Sequence, residues 1–149
     1  MVSENPVYIK GDYNTVSKKG AAVICDAINL LSNAWNDTKT KGTLPTASNT
    51  TYNLAVIAGN TETVVGSYNG GLENLPRFHE KWSGKTCTIS GSFVNAWYSQ
   101  HATSPWAGGA TDVYAPPSRN WNYDTSFNTV SNLPPFTPMV VSADDVVSW

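Results

Sequence analysis

Residues 70–100 read GGLENLPRFHEKWSGKTCTISGSFVNAWYSQ, and this stretch decides the expected fold. Its second half, residues 86–98, is the longest β-type run in the chain. Cys87, Ile89 and Phe93 fall on one side of that run, and small polar residues alternate with them on the other. A period of two is typical of a strand with one buried face. We therefore expect a mainly β protein built around this strand.

The composition limits the class of protein. The chain has 149 residues, the length of one domain. Charged residues make up only 13%, well below the ~25% usual for globular domains. Small polar residues are abundant, together with six Trp and seven Tyr, as is common in secreted and surface β-proteins. The net charge of −2 gives no basic surface, so we expect no nucleic-acid partner.

The N-terminal residues and the lengths of the apolar runs bear on export and membrane insertion. Residues 1–6 have neither the basic nor the apolar region of a signal peptide. No apolar stretch approaches the ~20 residues that a membrane helix requires, so we expect no membrane insertion by this segment. A strand-like sequence, PVYIKG, starts at residue 6. This abrupt start predicts a single domain, residues 1–149, excised from a longer chain.

A β-rich core is expected over residues 6–100, with one or two short helices. Asp26 is a possible N-cap for a short helix over residues 26–32. Apolar residues at spacings of 3, 3 and 4 within residues 71–82 fall on one helical face, so a second helix is expected to start near Asn74. The expected strands are residues 6–11, 21–25, 51–59 and 86–98.

The composition of the chain changes after residue 100. Residues 101–138 contain six prolines and six aromatic residues. That much aromatic area is costly to leave in water. We therefore expect an irregular but ordered segment that caps the β-rich core. Residues 138–149, PMVVSADDVVSW, predict one further short strand.

A weak repeat favours one β architecture. Ile9, Ile57 and Ile89 each begin the pattern Ile-x-Gly followed by Asp, Asn or Ser, near the end of an expected strand. The pattern fits successive coils of a right-handed parallel β-solenoid, in which these isoleucines would stack in the core. A β-sandwich is the alternative, but Asn-Gly hairpin signals are scarce between the strands.

Four segments resemble a known group of bacterial proteins. In order they are PVYIKGDYNT at residues 6–15, GLENLPRFHEKW at 71–82, ISGSFVNAWYSQ at 89–100 and PPSRNWNYD at 116–124. As a set they resemble the C-terminal region of large bacterial surface proteins of the type IV pilus-assembly, or PilX-type, group. The resemblance implies a secreted or cell-envelope location and a β-solenoid-like domain near the end of a long polypeptide. It implies no catalytic residues.

The best binding candidate in the sequence is an aromatic cluster in the capping segment. It consists of Trp106, Arg119, Trp121 and Tyr123. Sugars are recognised by aromatic faces beside planar polar side chains, which combine stacking with directed hydrogen bonds. The alternative is that these side chains only pin the proline-rich segment onto the strands.

The densest cluster of ionisable residues lies in the second expected helix. Glu73 and Arg77 are four residues apart, which predicts a structural ion pair on one helical face. A general acid–base pair formed by Glu73 or Glu80 with His79 would make the chain a hydrolase, the least favoured of three hypotheses. A capped surface helix explains the same residues.

No metal or cofactor is expected from the sequence. Cys25 and Cys87 each lie in an apolar run, which predicts two buried thiols, with one disulfide as the alternative. Neither cysteine has a neighbour at zinc-site spacing, and the aspartates follow no calcium-loop pattern.

Two functional hypotheses from different classes therefore lead. The first is a non-catalytic structural or adhesion module of a bacterial protein at the cell surface or outside the cell. The second is a carbohydrate-binding module that uses the aromatic cluster. Other surface proteins and cell-surface polysaccharide are the expected partners.

Overall fold

The computed structural model describes residues 1–38, 44–104 and 114–138 and is mainly β. Three short 3-10 helices, Gly71–Asn74, Thr125–Asn128 and Val130–Asn132, accompany the strands. None of the helices in the described part of the chain is long and apolar enough to cross a membrane. The strands are β1 (Val7–Lys10), β2 (Ala22–Cys25), β3 (Ile28–Leu31), β4 (Thr50–Asn60), β5 (Pro76–Phe78), β6 (Thr86–Tyr98) and β7 (Ser118–Tyr123).

The strands form two parallel sheets. One has the order β1-β3-β5 and the other the order β2-β4-β6-β7. From β1 to β6 the chain alternates between the two sheets, so each strand pairs with a strand from a different passage of the chain. Parallel bridges also join Thr46 to Lys81 and Lys81 to Ala115, outside both sheets. All ladder pairings are parallel, as expected for strands joined by crossovers rather than hairpins.

The core lies on the inner face of the four-stranded sheet. In β4 the side chains alternate, and every second residue from Thr50 to Ala58 is buried. Cys87 and Ile89 in β6 are buried in the same way, which confirms the predicted alternation of that strand. The Tyr52 hydroxyl, in the middle of this core, donates a hydrogen bond of 2.8 Å to the Leu31 carbonyl oxygen. That bond ties the inner face of β4 to the other sheet.

The predicted helix over residues 26–32 is wrong. Residues Ile28–Leu31 form β3, the central strand of the three-stranded sheet, and all four are buried. A strand covered on both faces reads as a continuous apolar run, and such a run does not distinguish a strand from a buried helix. Pairing with β1 and β5 decides the outcome here.

The predicted helix from Asn74 is also wrong. A 3-10 turn covers Gly71–Asn74, and Pro76–Phe78 then form β5. Pro76 is tolerated because β5 lies at the edge of its sheet, where a missing N–H costs little. Phe78 and Trp82 are nevertheless buried, with ring centroids 5.4 Å apart. The apolar spacing therefore identified core residues but not their backbone conformation.

The proposed stacking of the three repeat isoleucines does not occur. Ile9 and Ile89 are buried, but Ile57 is only partly buried and lies on the outer face of β4. Ile57 pairs with Val94, whereas Ile89 pairs with Tyr52. The strand register overrides the repeat because side chains one residue apart point to opposite faces.

A strand that the sequence did not predict lies in the capping segment. Ser118–Tyr123 form β7, which extends the four-stranded sheet beyond β6. Its sequence, SRNWNY, has only two aromatic residues in alternation, too short a pattern to predict a strand within a proline-rich segment. After β7, Asp124 forms an ion pair of 2.8 Å with Lys18, which anchors the segment that follows. The strand predicted in residues 138–149 lies outside the described residues, except for its first residue.

A β-bulge near the end of β6 reverses the side-chain pattern. The register shifts so that Ala58 pairs with Asn95 but Gly59 pairs with Trp97. One extra residue in β6 therefore moves Trp97 from the core side of the sheet to the outer face. Gly59 makes room for the indole, because a Cβ at this position would lie 2.6 Å from Trp97 Cδ1.

Both cysteines are free and buried, as the favoured interpretation predicted. Burial raises the pKa of Cys25 to about 11 and that of Cys87 to about 12. The reactive thiolate is therefore scarce at neutral pH in the folded protein.

We expect the native protein to resist thiol labelling. An aromatic disulfide reagent at about pH 8 should modify neither Cys25 nor Cys87 until denaturant is added, and then both should react. The absorbance of the released thiolate measures this. Stoichiometric labelling of the native protein within minutes would contradict the buried position of the thiols.

A pair of isoleucine variants tests the inner and outer faces. Ile89→Ala should lower the free energy of unfolding by about 2–5 kcal/mol because it opens a cavity in the core. Ile57→Ala, on the outer face, should cost only about 1 kcal/mol. Urea denaturation followed by Trp fluorescence measures both values. Equal losses in the two variants would show that the strand register is different.

Candidate functional site

Three of the predicted binding residues lie on one side of β7. Arg119, Trp121 and Tyr123 occupy alternate positions of the strand, so their side chains share a face. In the ladder with β6 they pair with Cys87, Ile89 and Gly91, the core side of the sheet. Within the described residues, β7 is the outermost strand on its side of that sheet. The three side chains therefore lie where the core meets the surface, and Tyr123 is 55% exposed.

Trp121 is the centre of this arrangement. Its ring is 5.6 Å from that of Phe93 in an edge-to-face contact and 6.5 Å from that of Phe78 in a stacked one. The Arg119 guanidinium carbon lies 5.3 Å from the centroid of the indole. Aromatic and cation–π contacts of this kind hold the ring in one orientation.

A groove of about 300 Å³ opens beside Trp121. Leu72 from the first 3-10 turn, Phe93 from β6, and Trp121 and Tyr123 from β7 form its apolar walls. Ser92 and Asn122 also line it, but their side chains point to the opposite face of the sheet from those of Phe93 and Trp121. We call this site the aromatic groove. Its volume is at the lower end of the range for small-molecule sites, enough for one or two sugar rings.

The sequence identified part of this groove and missed the rest. Trp121 and Tyr123 line it, and Arg119 packs against Trp121. Trp106, the fourth predicted residue, lies outside the described residues. Leu72 and Phe93 were not predicted as site residues, because the pairing of β6 with β7 brings Phe93 to the groove and a 3-10 turn brings Leu72.

The Glu73–Arg77 pair was predicted from a helical geometry that the structure does not have. Glu73 lies in the 3-10 turn and Arg77 in strand β5, so the two residues are not one turn apart on a helix. The Glu73 carboxylate lies 3.9 Å from Arg119 Nη1. Arg77 donates a 2.9 Å hydrogen bond to the Ala102 carbonyl oxygen. The prediction of an i, i+4 pair is therefore corrected.

The three residues of the hydrolase hypothesis have separate environments. Glu80 is fully buried, and its carboxylate accepts hydrogen bonds of 2.7 and 2.6 Å from the backbone N–H and hydroxyl of Ser32. His79 Nε2 lies 2.8 Å from Asn29 Oδ1. Glu73 has an exposed side chain on the 3-10 turn. His79 and Glu80 thus contact different residues, Asn29 and Ser32.

Asp26 organises the turn that follows β6. Its carboxylate accepts hydrogen bonds from the backbone N–H groups of Gln100, His101 (3.2 Å) and Ala102 (2.9 Å). Its carbonyl oxygen accepts a 2.8 Å bond from the Ser99 hydroxyl. Burial alone would raise the pKa of Asp26, but the three N–H donors outweigh it and lower the pKa below its usual value of 3.8. Asp26 therefore caps the turn after β6 and not the start of a helix, which was the role expected from the sequence.

In residues 1–38, 44–104 and 114–138, no three His, Cys, Asp or Glu side chains lie close enough together to hold a metal ion.

Comparison of the chain with protein-family models, with curated proteins and with solved structures finds no match.

The hydrogen bonds of Asp26 predict a dependence of stability on pH. Because its folded-state pKa is lowered, the carboxylate stabilises the fold fully above the usual carboxyl pKa and loses this effect as pH falls through the lower value. Asp26→Asn should therefore be less stable than the wild type near neutral pH, and the difference should shrink towards about pH 2. Urea denaturation at several pH values measures it. A difference that does not change with pH would contradict the role of the charge.

Proposed function

We propose that this chain is a non-catalytic adhesion module of a bacterial protein at the cell surface or outside the cell, and that it binds carbohydrate in the aromatic groove. The observation that carries the proposal is the cluster of Phe93, Trp121 and Tyr123 around an open groove. A sugar ring has one apolar C–H face and a rim of hydroxyl groups, and aromatic walls with a few polar groups complement both.

Polar groups beside the aromatic walls suit such a ligand. The hydroxyl of Tyr123, which lies 3.3 Å from Asn128 Oδ1, can donate and accept hydrogen bonds, as sugar hydroxyls require. Arg119 stacks over Trp121 and adds planar donors beside the groove.

The absence of side chains suited to acid–base catalysis from the described lining of the groove supports a binding role rather than catalysis. Its described lining contains no His, Cys, Asp, Glu or Lys side chain. Two carboxylates near it are already paired, Glu73 with Arg119 and Asp124 with Lys18. The buried Glu80 is bonded to Ser32 and is not accessible to a substrate. General acid–base chemistry needs a titratable group within reach of the reacting atom.

The finer architecture is proposed as a right-handed parallel β-solenoid. Two features support it: the chain alternates between two parallel sheets, and a third row of parallel bridges passes through Thr46, Lys81 and Ala115. Each passage of the chain would then form one coil with three sides. Such a rod suits a module that holds a binding surface away from a cell.

The surface location rests on two sequence features. Charged residues are few and Asn, Ser, Thr and Gly are many, and the four quoted segments resemble PilX-type surface proteins. Within such a protein the chain would act in attachment, with cell-surface polysaccharide as its partner.

A second candidate function is attachment to another surface protein. β7 lies at the edge of the four-stranded sheet in the described part of the chain. An edge strand can accept a strand from a partner through backbone hydrogen bonds. This function predicts no affinity for polysaccharide.

Retention on insoluble polysaccharides tests the proposal. We expect the purified protein to sediment with at least one of cellulose, chitin and bacterial cell-wall material. Trp121→Ala and Tyr123→Ala should each reduce the retained fraction by about tenfold, since an aromatic stacking contact is lost. Tyr8→Ala is the matched control, because Tyr8 is 59% exposed and lies on β1 in the other sheet.

Two outcomes would contradict carbohydrate binding in the groove. One is no retention of the wild type on any of the three materials, which would favour the protein-partner function. The other is unchanged retention of Tyr123→Ala, a variant of an exposed side chain that leaves the core intact.

A further inference from the structure

A second cleft lies on the outer face of the four-stranded sheet, away from the aromatic groove. It has a volume of about 490 Å³ and runs between the first residues of the chain and the end of β6. Val2, Ile24 and Trp97 form its apolar part. Glu4, Gln100 and His101 supply polar groups beside it. None of these residues takes part in the proposed function described above.

The β-bulge creates this cleft. Without the extra residue in β6, Trp97 would lie on the core side with Ile89 and Phe93. With it, the indole lies on the outer face against Gly59, where there is no Cβ to hold it away from the strand. Trp97 is 39% exposed. The indole is thus a partly exposed aromatic surface that packs against the backbone at Gly59.

Two carboxylates line the cleft, that of the exposed Glu4 and that of the buried Asp26. No Lys or Arg is among its described lining residues, although Arg77 interacts with Asp26 and the terminal ammonium of Met1 binds the Ala22 carbonyl oxygen nearby. The Asp26 oxygens already accept three backbone N–H groups, so its charge is compensated and it does not contact a ligand. Glu4 is the carboxylate that can reach a ligand.

We propose that this cleft binds a sugar with a free ammonium group, as found in deacetylated hexosamine polymers. Trp97 would contact the C–H face of the ring, and Glu4 would pair with the ammonium group. Gln100 would bind the hydroxyl groups. The inference rests on the proposed function in taking a polysaccharide as the ligand, but it assigns a different site and a different class of sugar.

The pairing of an indole with carboxylates selects this class of ligand. An ammonium group is attracted both by an aromatic face and by a carboxylate, and a partly desolvated site strengthens both interactions. A neutral sugar would use the ring but not the charge of Glu4. An anionic sugar would be repelled by the Glu4 carboxylate.

Calorimetric titration with two tetrasaccharides of equal length tests the proposal. One is the glucosamine tetramer, with free amino groups, and the other is its fully N-acetylated counterpart. The glucosamine tetramer should bind at least about tenfold more tightly, which is the contribution of one partly desolvated ion pair. Its affinity should fall as salt is added, because the contact with the exposed Glu4 is screened.

Three variants test whether the glucosamine tetramer binds in the cleft. Trp97→Ala should lower the affinity for the glucosamine tetramer by about tenfold. Glu4→Gln should lower it by about threefold to tenfold and reduce its dependence on salt. Tyr98→Ala, an exposed aromatic next to Trp97 that does not line the cleft, is the control and should bind as the wild type does. Far-ultraviolet circular dichroism verifies that each variant is folded.

Three results would overturn the proposal: equal affinity for the two tetramers, no measurable binding of the glucosamine tetramer, or full affinity in the folded Glu4→Gln variant. The test is separate from that of the aromatic groove. Trp121→Ala should keep full affinity for the glucosamine tetramer while it loses retention on insoluble polysaccharide. Retention on insoluble polysaccharide that is lost in Trp97→Ala but kept in Trp121→Ala would contradict the aromatic groove and leave the cleft proposal standing.

Discussion

The parallel ladder between β4 and β6 is the interaction on which the rest of the structure depends. It joins eleven residue pairs, from Thr50–Cys87 to Asn60–Tyr98. β2 adds to one side of this pair and β7 to the other. The inner faces of the two strands form the core, and both candidate binding surfaces lie along β6. The aromatic groove uses the part of β6 before the bulge, and the Trp97 cleft uses the part after it.

The sequence was sufficient to predict the strands whose faces differ in polarity. β6 was predicted with the observed bounds because its apolar and small polar residues alternate, and β4 was predicted to within a residue. β3 was not predicted, since it is buried on both faces and an apolar run of this length fits a helix equally well. β7 was not predicted either, because Trp121 and Tyr123 are its only aromatic residues and the rest of the segment is polar. Only pairing with β6 makes that segment a strand.

The candidate site was predicted in part for a similar reason. Trp121 and Tyr123 could be identified as aromatic residues in a polar segment, which is a property of sequence alone. Phe93 could not be assigned to the site, because it belongs to a strand distant in sequence and comes beside Trp121 only through the register. The bulge that exposes Trp97 could not be predicted either, because it is defined by the pairing of β6 with β4. A strict alternation would have placed that indole in the core.

The wide separation in sequence between paired strands has a consequence for biosynthesis. A ribosome completes β4 well before it has made β6, since residues 61–85 lie between them. At ~5–20 residues per second, β4 waits on the order of seconds with one row of backbone N–H and C=O groups unpaired. An unpaired edge of this length is a template for association with other nascent chains. Yield of the protein from cells should therefore depend on translation speed and on chaperones that shield this edge.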